Sequence, residues 1–139
     1  MHENPGAGEI RDLLSASRNI AVVGLSERPH RTSHSIARAL QDHGFRIFPV
    51  NPNLRGPVLG EEPYASLREV PEEIDIVDVF RRSEKVTPVA RDAVAAGAKV
   101  LWMQSGVINE EAAAYSAGHG MTVVMDRCIM VDYRTLVGR

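Results

Sequence analysis

A chain of 139 residues, 44% hydrophobic and 24% charged, is long enough for one domain with a real core and too short for two, since domains peak at roughly 100–150 residues. Its 16 Lys and Arg against 18 Asp and Glu leave a formal charge of −2, which lacks the basic excess of a nucleic-acid binder. One cysteine, Cys128, excludes an internal disulfide and a CxxC metal pattern, and no apolar run approaches the ~18 residues of a membrane span. The first residues, MHENPGAGEI, hold no apolar core of signal-peptide type, so we expect a soluble, cytoplasmic protein.

The chain opens with a helical pattern over about 8–17, which places Ile10, Leu13, Leu14 and Ser17 on one side. We expect residues 1–17 to be an N-terminal helical segment packed on a domain formed by 18–139. A buried strand at about 20–24 stops at Gly24, and after a polar loop a helix begins near Ser33 and runs over about 33–43, with Ile36, Ala37 and Leu40 inward. A strand, a glycine turn and a helix N-terminus leave backbone N–H groups and a positive dipole end facing one spot, which suits a phosphate. Arg28, His30, Arg31 and His34 crowd that spot with donors, so its expected partner is an anion.

A second strand at about 46–50 leads into 51–73, an irregular stretch marked by Pro52, Pro57, Pro63 and Pro71 that predicts a loop with a turn or a short edge strand. Strands follow at about 74–79, 99–103 and 121–125. Between them Ser83 is positioned to cap a helix carrying Val86, Val89, Ala90, Ala93 and Val94, and Asn109 to cap one with Glu110 and Glu111 in its first turn. A last short helix is expected over 129–137. The strand centres IAVV, RIFPV, IDIVDV, VLWM and TVVM are nearly continuous in hydrophobicity, as in a parallel sheet covered on both faces. The fold class is therefore α/β, a Rossmann-like, doubly wound parallel sheet of about five strands in the order 2-1-3-4-5, with helices on both faces in a single domain.

In that layout the carboxyl ends of the strands present Gly24-Leu25-Ser26, Asn51-Pro52, Phe80-Arg81, Gln104-Ser105-Gly106 and Asp126-Arg127-Cys128 to one crevice. An NAD fold would need GxGxxG, but Gly24 is followed by Ser26 and Pro29. The second strand ends Val50-Asn51-Pro52, where NAD would want an acid for the ribose hydroxyls. NADP tolerates the missing acid with an arginine such as Arg55 nearby, though the missing glycines still count against close pyrophosphate approach.

The motifs VVGLS, FPVNP, DIVDVFR, LWMQSG and DRCIMVD, in that order over about Arg18 to Leu136, resemble those of the stand-alone CoA-binding domain proteins. These are similar to the nucleotide-binding domain of the succinyl-CoA synthetase alpha subunit. The resemblance implies a Rossmann-like fold and coenzyme A as the ligand. It implies that Gly24 and Ser26 shape the first phosphate turn, and that the loop to Ser33 holds the pyrophosphate; Leu25 lies within that turn and Arg28 and Arg31 within that loop. Asn51 and Pro52 would lie by the adenosine, while Phe80, Arg81, Gln104, Ser105 and Gly106 would line the remaining crevice, where the layout of strand tips also puts Cys128. The synthetases work through a phosphorylated histidine in a second domain; this chain has neither that domain nor a histidine in a comparable setting, and it reads Asp132-Tyr133 where stand-alone relatives often have an acid followed by His.

Each residue has a plainer reading beside the functional one. Gly24 serves any tight strand-to-helix turn, Asn51-Pro52 forms a turn with or without ligand, and Gln104-Ser105-Gly106 can simply end a strand. Arg28 and Arg31 either touch phosphate or are solvated loop charges. Arg81 either faces the crevice or pairs with Asp75, Asp78 or Asp126. Trp102 and Met103 read as core, and His119 as a solvated residue of a helix-end turn. Cys128 is by default a small buried hydrophobe; beside Arg127 and a helix N-terminus it could instead be a reactive thiolate.

No Ser-His-Asp set, paired carboxylate motif, Walker lysine or metal cluster can be assembled from the strand tips. The leading expectation is thus a single-domain protein that binds coenzyme A or an acyl-CoA without catalytic machinery of its own. The competing class is an enzyme: an NAD(P)-linked oxidoreductase, or a thiol-dependent redox protein using Cys128. A third reading is a subunit that supplies a nucleotide site to a partner chain or within a homo-oligomer.

Overall fold

The computed structural model describes residues 1–138, and in them five strands form one parallel sheet. In chain order the elements are α1 (Ala7–Ala16), β1 (Asn19–Val23), α2 (Thr32–Asp42), β2 (Arg46–Val50), β3 (Ile76–Val79), α3 (Val86–Ala95), β4 (Val100–Met103), α4 (Glu110–Gly118), β5 (Thr122–Val124) and α5 (Ile129–Asp132). A 3-10 turn over Ser83–Lys85 precedes α3, and a π-helical turn over Tyr133–Val137 extends α5. The spatial order is β2-β1-β3-β4-β5, as expected from the alternating pattern, and the order reverses between β1 and β3.

Alternation along each strand divides the core into two layers. Ala21, Val23, Val77, Val79, Leu101 and Met103 face α3 and α4. Ile20, Val22, Ile76, Trp102 and Val124 face α1, α2 and α5, where Ile10, Leu14, Ala37, Leu40 and Ile129 meet them. Both faces being covered explains why the strands read as unbroken apolar runs. No helix among the described residues is long and apolar enough to cross a membrane.

Local chemistry sets the ends of the elements. The Asn109 Oδ1 accepts from the Ala112 N–H at 2.9 Å, with Glu110 and Glu111 in the first turn of α4, as its sequence predicts. Ser83 does not cap α3. Its hydroxyl accepts from the Ile108 N–H at 2.9 Å, tying the start of the α3 region to the loop after β4. The proline-rich stretch after β2 stays irregular; it closes an antiparallel bridge between Val58 and Glu61 and lays a single residue, Tyr64, beside Val50 at the sheet edge.

At the opposite edge the chain covers itself. The Asn4 side-chain amide donates to the Met125 carbonyl at 2.9 Å and accepts from its N–H at 2.8 Å, so one side chain supplies the two bonds a neighbouring strand would make. The His2 N–H donates to Glu110 at 2.7 Å and holds the same arm against α4. Ile10 and Leu14 are 2% and 1% exposed, which docks α1 against the sheet and the C-terminal turn.

Candidate functional site

At the switch point between β1 and β3 the two backbones leave no room for a side chain. Gly24 has φ +87, and a Cβ added there would overlap the carbonyl oxygen of Phe80 at the end of β3. Its N–H donates to the Val50 carbonyl at 2.9 Å, while the Phe80 N–H donates to Val23 at 2.8 Å, so the tips of β1, β2 and β3 are laced together. Glycine is required here by that packing alone. The turn so formed borders an open cleft of about 730 Å³ on one side and a second lobe of about 390 Å³ on the other; Gly24, Ser26 and Arg31 line both.

The loop from Gly24 to α2 is held by its own polar groups. The Ser26 N–H donates to Ser33 Oγ at 3.0 Å, the Arg28 N–H donates to Ser26 Oγ at 3.1 Å, and His34 Nδ1 donates to the Ser26 carbonyl at 2.9 Å. These bonds turn His34 inward, 9% exposed, so it braces the loop and does not join the donors around the cleft. Arg31 is the N-cap of α2 with no side-chain capping bond, and the first turn has no acidic residue. Thr32 and Ser33 line the cleft, which therefore receives the uncompensated positive end of an 11-residue helix.

The main cleft collects Gly24, Ser26, His30, Arg31, Ser33, Phe80, Arg81, Gln104, Ser105, Gly106 and Cys128 of the residues expected from the sequence. It adds Thr32, Ile36, Arg82, Ser83 and Val107, each within three residues of a named one. Arg28 and Asn51 line the second lobe, with Glu27, Asn53, Leu54 and Arg55. Pro52 lies apart, in a small recess of about 110 Å³ on the α3 side of the sheet that Arg81 also borders. Leu25 gives no side chain to either lobe; it is fully buried in the layer beneath α2, and only its carbonyl is used, accepting from Asn51 Nδ2 at 3.1 Å.

The structure decides between the alternatives for Arg81. Burial pushes the Asp75 carboxyl up, but the N–H groups of Asn19 and Arg18 and the Lys99 ammonium outweigh it and hold that carboxyl below its usual range, at the far end of the sheet. Asp78 is fully buried without a hydrogen-bond partner among the described residues, and Asp126 accepts from the Gly106 N–H at 2.7 Å. Arg81 makes no ion pair among the described residues and borders the cleft, where Arg31, Arg81 and Arg82 meet no carboxylate in the lining. Arg82 reaches Glu84 only at 4.0 Å, with both side chains exposed.

The tips of β4 and β5 form the far wall. Gln104 is 4% exposed, and its Oε1 accepts from the Ile129 N–H at 3.1 Å, capping α5. Cys128, half-buried, is the N-cap residue of that helix and lines the cleft. Arg127 does not serve the thiol. Its guanidinium is bound through Nε and Nη2 to the two carboxylate oxygens of Asp132, both at 2.7 Å, which raises its already high pKa. Trp102 is fully buried, as its sequence context predicts, and donates from Nε1 to the Arg127 carbonyl at 2.8 Å. His119 is exposed at the end of α4. No cluster of three His, Cys, Asp or Glu among the described residues could hold a metal.

What gathers at the switch point is a long, open, cationic cleft with a helix N-terminus at its middle. A family model described as a CoA binding domain matches residues 18–134. The chain is 48% identical over 131 residues to the uncharacterised protein YneT of Bacillus subtilis, covering 94% of this chain and 96% of that one. The solved structure of a hypothetical protein from Pyrococcus horikoshii superposes with a TM-score of 0.92 at 32% identity, over 99% of this chain and 100% of that one. An ADP-forming acetate–CoA ligase of Archaeoglobus fulgidus is 29% identical over 105 residues, which are 74% of this chain and 15% of the ligase.

Proposed function

The chain belongs to the CoA binding domain family, and from that premise we propose that it binds coenzyme A, free or acylated, in the two-lobed cleft at the carboxyl ends of the strands. The observation that carries the placement is the first turn of α2. It is uncapped, lacks an acid, and opens where Gly24, Ser26 and Arg31 border both lobes. A diphosphate seated there meets free N–H groups and the helix dipole. Arg28 and Arg55 in the second lobe then serve the remaining phosphate at the adenosine end, beside Asn51. The pantetheine arm runs the other way, through the larger lobe past Phe80 and Gln104 to Cys128.

On this reading the protein is a binding module, and its place is inside the cell, where coenzyme A is. Among the described residues the strand tips bring together donors and cations but no nucleophile paired with a base. The ligase activity of the archaeal relative is not carried over, because the chain spans only 15% of that protein.

Thermal denaturation with CoA, acetyl-CoA, NAD and NADP tests the proposal. A ligand that binds only the native state stabilises by about 2.7 kcal/mol at a hundredfold excess over Kd, roughly 10 °C in Tm for a domain of this size. CoA should give a shift of that order and NAD none. A larger shift with NAD than with CoA overturns the reading.

A further inference from the structure

Asp126 sits in a backbone conformation that aspartate rarely adopts, φ +62, in the turn between β5 and α5. Such strain persists only where the surroundings over-determine it, and here the chain is pinned on both sides of Asp126. Met125 is clamped on both backbone groups by the Asn4 amide. The Arg127 carbonyl is taken by the Trp102 indole and its side chain by Asp132. The Ile129 N–H is taken by Gln104. Within this frame the strained residue makes one bond of its own: Asp126 Oδ1 accepts from the Gly106 N–H at 2.7 Å.

Gly106 lines the cleft on the β4 tip, in a turn closed by the Val107 N–H to the Gln104 carbonyl at 2.9 Å; Cys128, two residues after Asp126, lines it on the β5 tip. The Asp126 carboxylate therefore spans the two loops that make the far wall, beside the link from Gln104 to Ile129. We propose that Asp126 is a positioning residue, which fixes the 104–107 loop against the turn carrying Cys128 so that the pantetheine arm meets a wall already in place. This inference rests on the CoA reading of the cleft. Without the bond the loop keeps its ties to Ser83 and through Gln104 to Ile129, but the Gly106 N–H edge that faces the Cys128 turn must be ordered when ligand arrives, and that cost appears as lost affinity.

Three substitutions separate the bond from the backbone strain. Asp126→Asn keeps both an acceptor oxygen and tolerance of positive φ; Asp126→Gly suits the φ but removes the acceptor; Asp126→Ala removes both. CoA affinity by calorimetry should be near wild type for Asp126→Asn and roughly tenfold weaker for Asp126→Gly and Asp126→Ala, the scale of one lost charge-assisted hydrogen bond. The Tm of Asp126→Gly should stay near that of the wild type, and amide exchange at Gly106 should accelerate in the same variant. A purely structural role would instead make affinity follow Tm. Wild-type affinity in Asp126→Gly overturns the inference alone, whereas a wild-type protein that fails to bind CoA overturns the CoA reading and this inference with it.

Discussion

Asp78 and Trp102 are register partners on adjacent strands, β3 and β4, and both are 0% exposed. They stand side by side on the sheet face that α1, α2 and α5 cover, with Val22 on the other flank of Asp78. Neither carboxylate oxygen of Asp78 has a hydrogen-bond partner among the described residues. A carboxyl so placed cannot stay charged, and burial alone pushes it well above the usual carboxylate range.

The pH dependence follows. With its folded pKa raised, Asp78 makes the native state hold one more proton than the unfolded chain at every pH between the unfolded value, about 4, and the folded one. Its contribution to stability is fully present below that window and is lost as pH rises through it, at about 1.4 kcal/mol per pH unit. Asp78→Asn should therefore unfold at a higher temperature than the wild type at pH 8, and its advantage should shrink toward pH 5. Parallel Tm profiles for the two proteins would show that Asp78 does not titrate in this window.

Gly24→Ala is expected to lose about 2–4 kcal/mol of stability, because it combines an unfavourable positive φ with a collision against the Phe80 carbonyl, which is backbone and cannot swing away. Urea denaturation measures the loss. A midpoint within about 0.3 M of the wild type, less than 1 kcal/mol at usual m values, would mean that the tips of β1 and β3 can part without cost.

The double change Arg28→Ala, Arg31→Ala should weaken CoA binding and flatten its salt dependence, since Arg31 borders both lobes and Arg28 the second. A well-formed charge-assisted bond to phosphate is worth roughly 1.5–3 kcal/mol. Calorimetry at two salt concentrations reads both effects. Unchanged affinity at low salt would make these arginines solvated bystanders.

Cys128 should react slowly with iodoacetamide in the free protein and more slowly with CoA bound. It is half-buried at the start of α5, and the neighbouring guanidinium that could favour a thiolate is engaged by Asp132. Intact-mass measurement follows the labelling. Fast reaction in the free protein would point to a redox role, and indifference to saturating CoA would put the sulfur outside the occupied part of the cleft.

Strand positions, sheet order and the location of the cleft were legible because they rest on information local in the chain. Runs such as IAVV and VLWM declare doubly covered strands, Asn109 and Glu110 declare a helix start, and the alternating β-α pattern leaves few topologies. Given that order, residues after each strand must meet at the carboxyl end, and most of the expected residues do line it. What the tertiary structure alone decided are contacts whose partners lie far apart in sequence: Gly24 against the Phe80 carbonyl, Asn4 across Met125, Asp126 on Gly106, and the burial of Asp78 beside Trp102. Periodicity says which face a side chain takes but not which polar group will stand opposite it. Leu25 follows a strand tip and reads as crevice, yet the chain turns at Gly24 and the side chain falls into the apolar layer under α2, where removing it from water decides its direction.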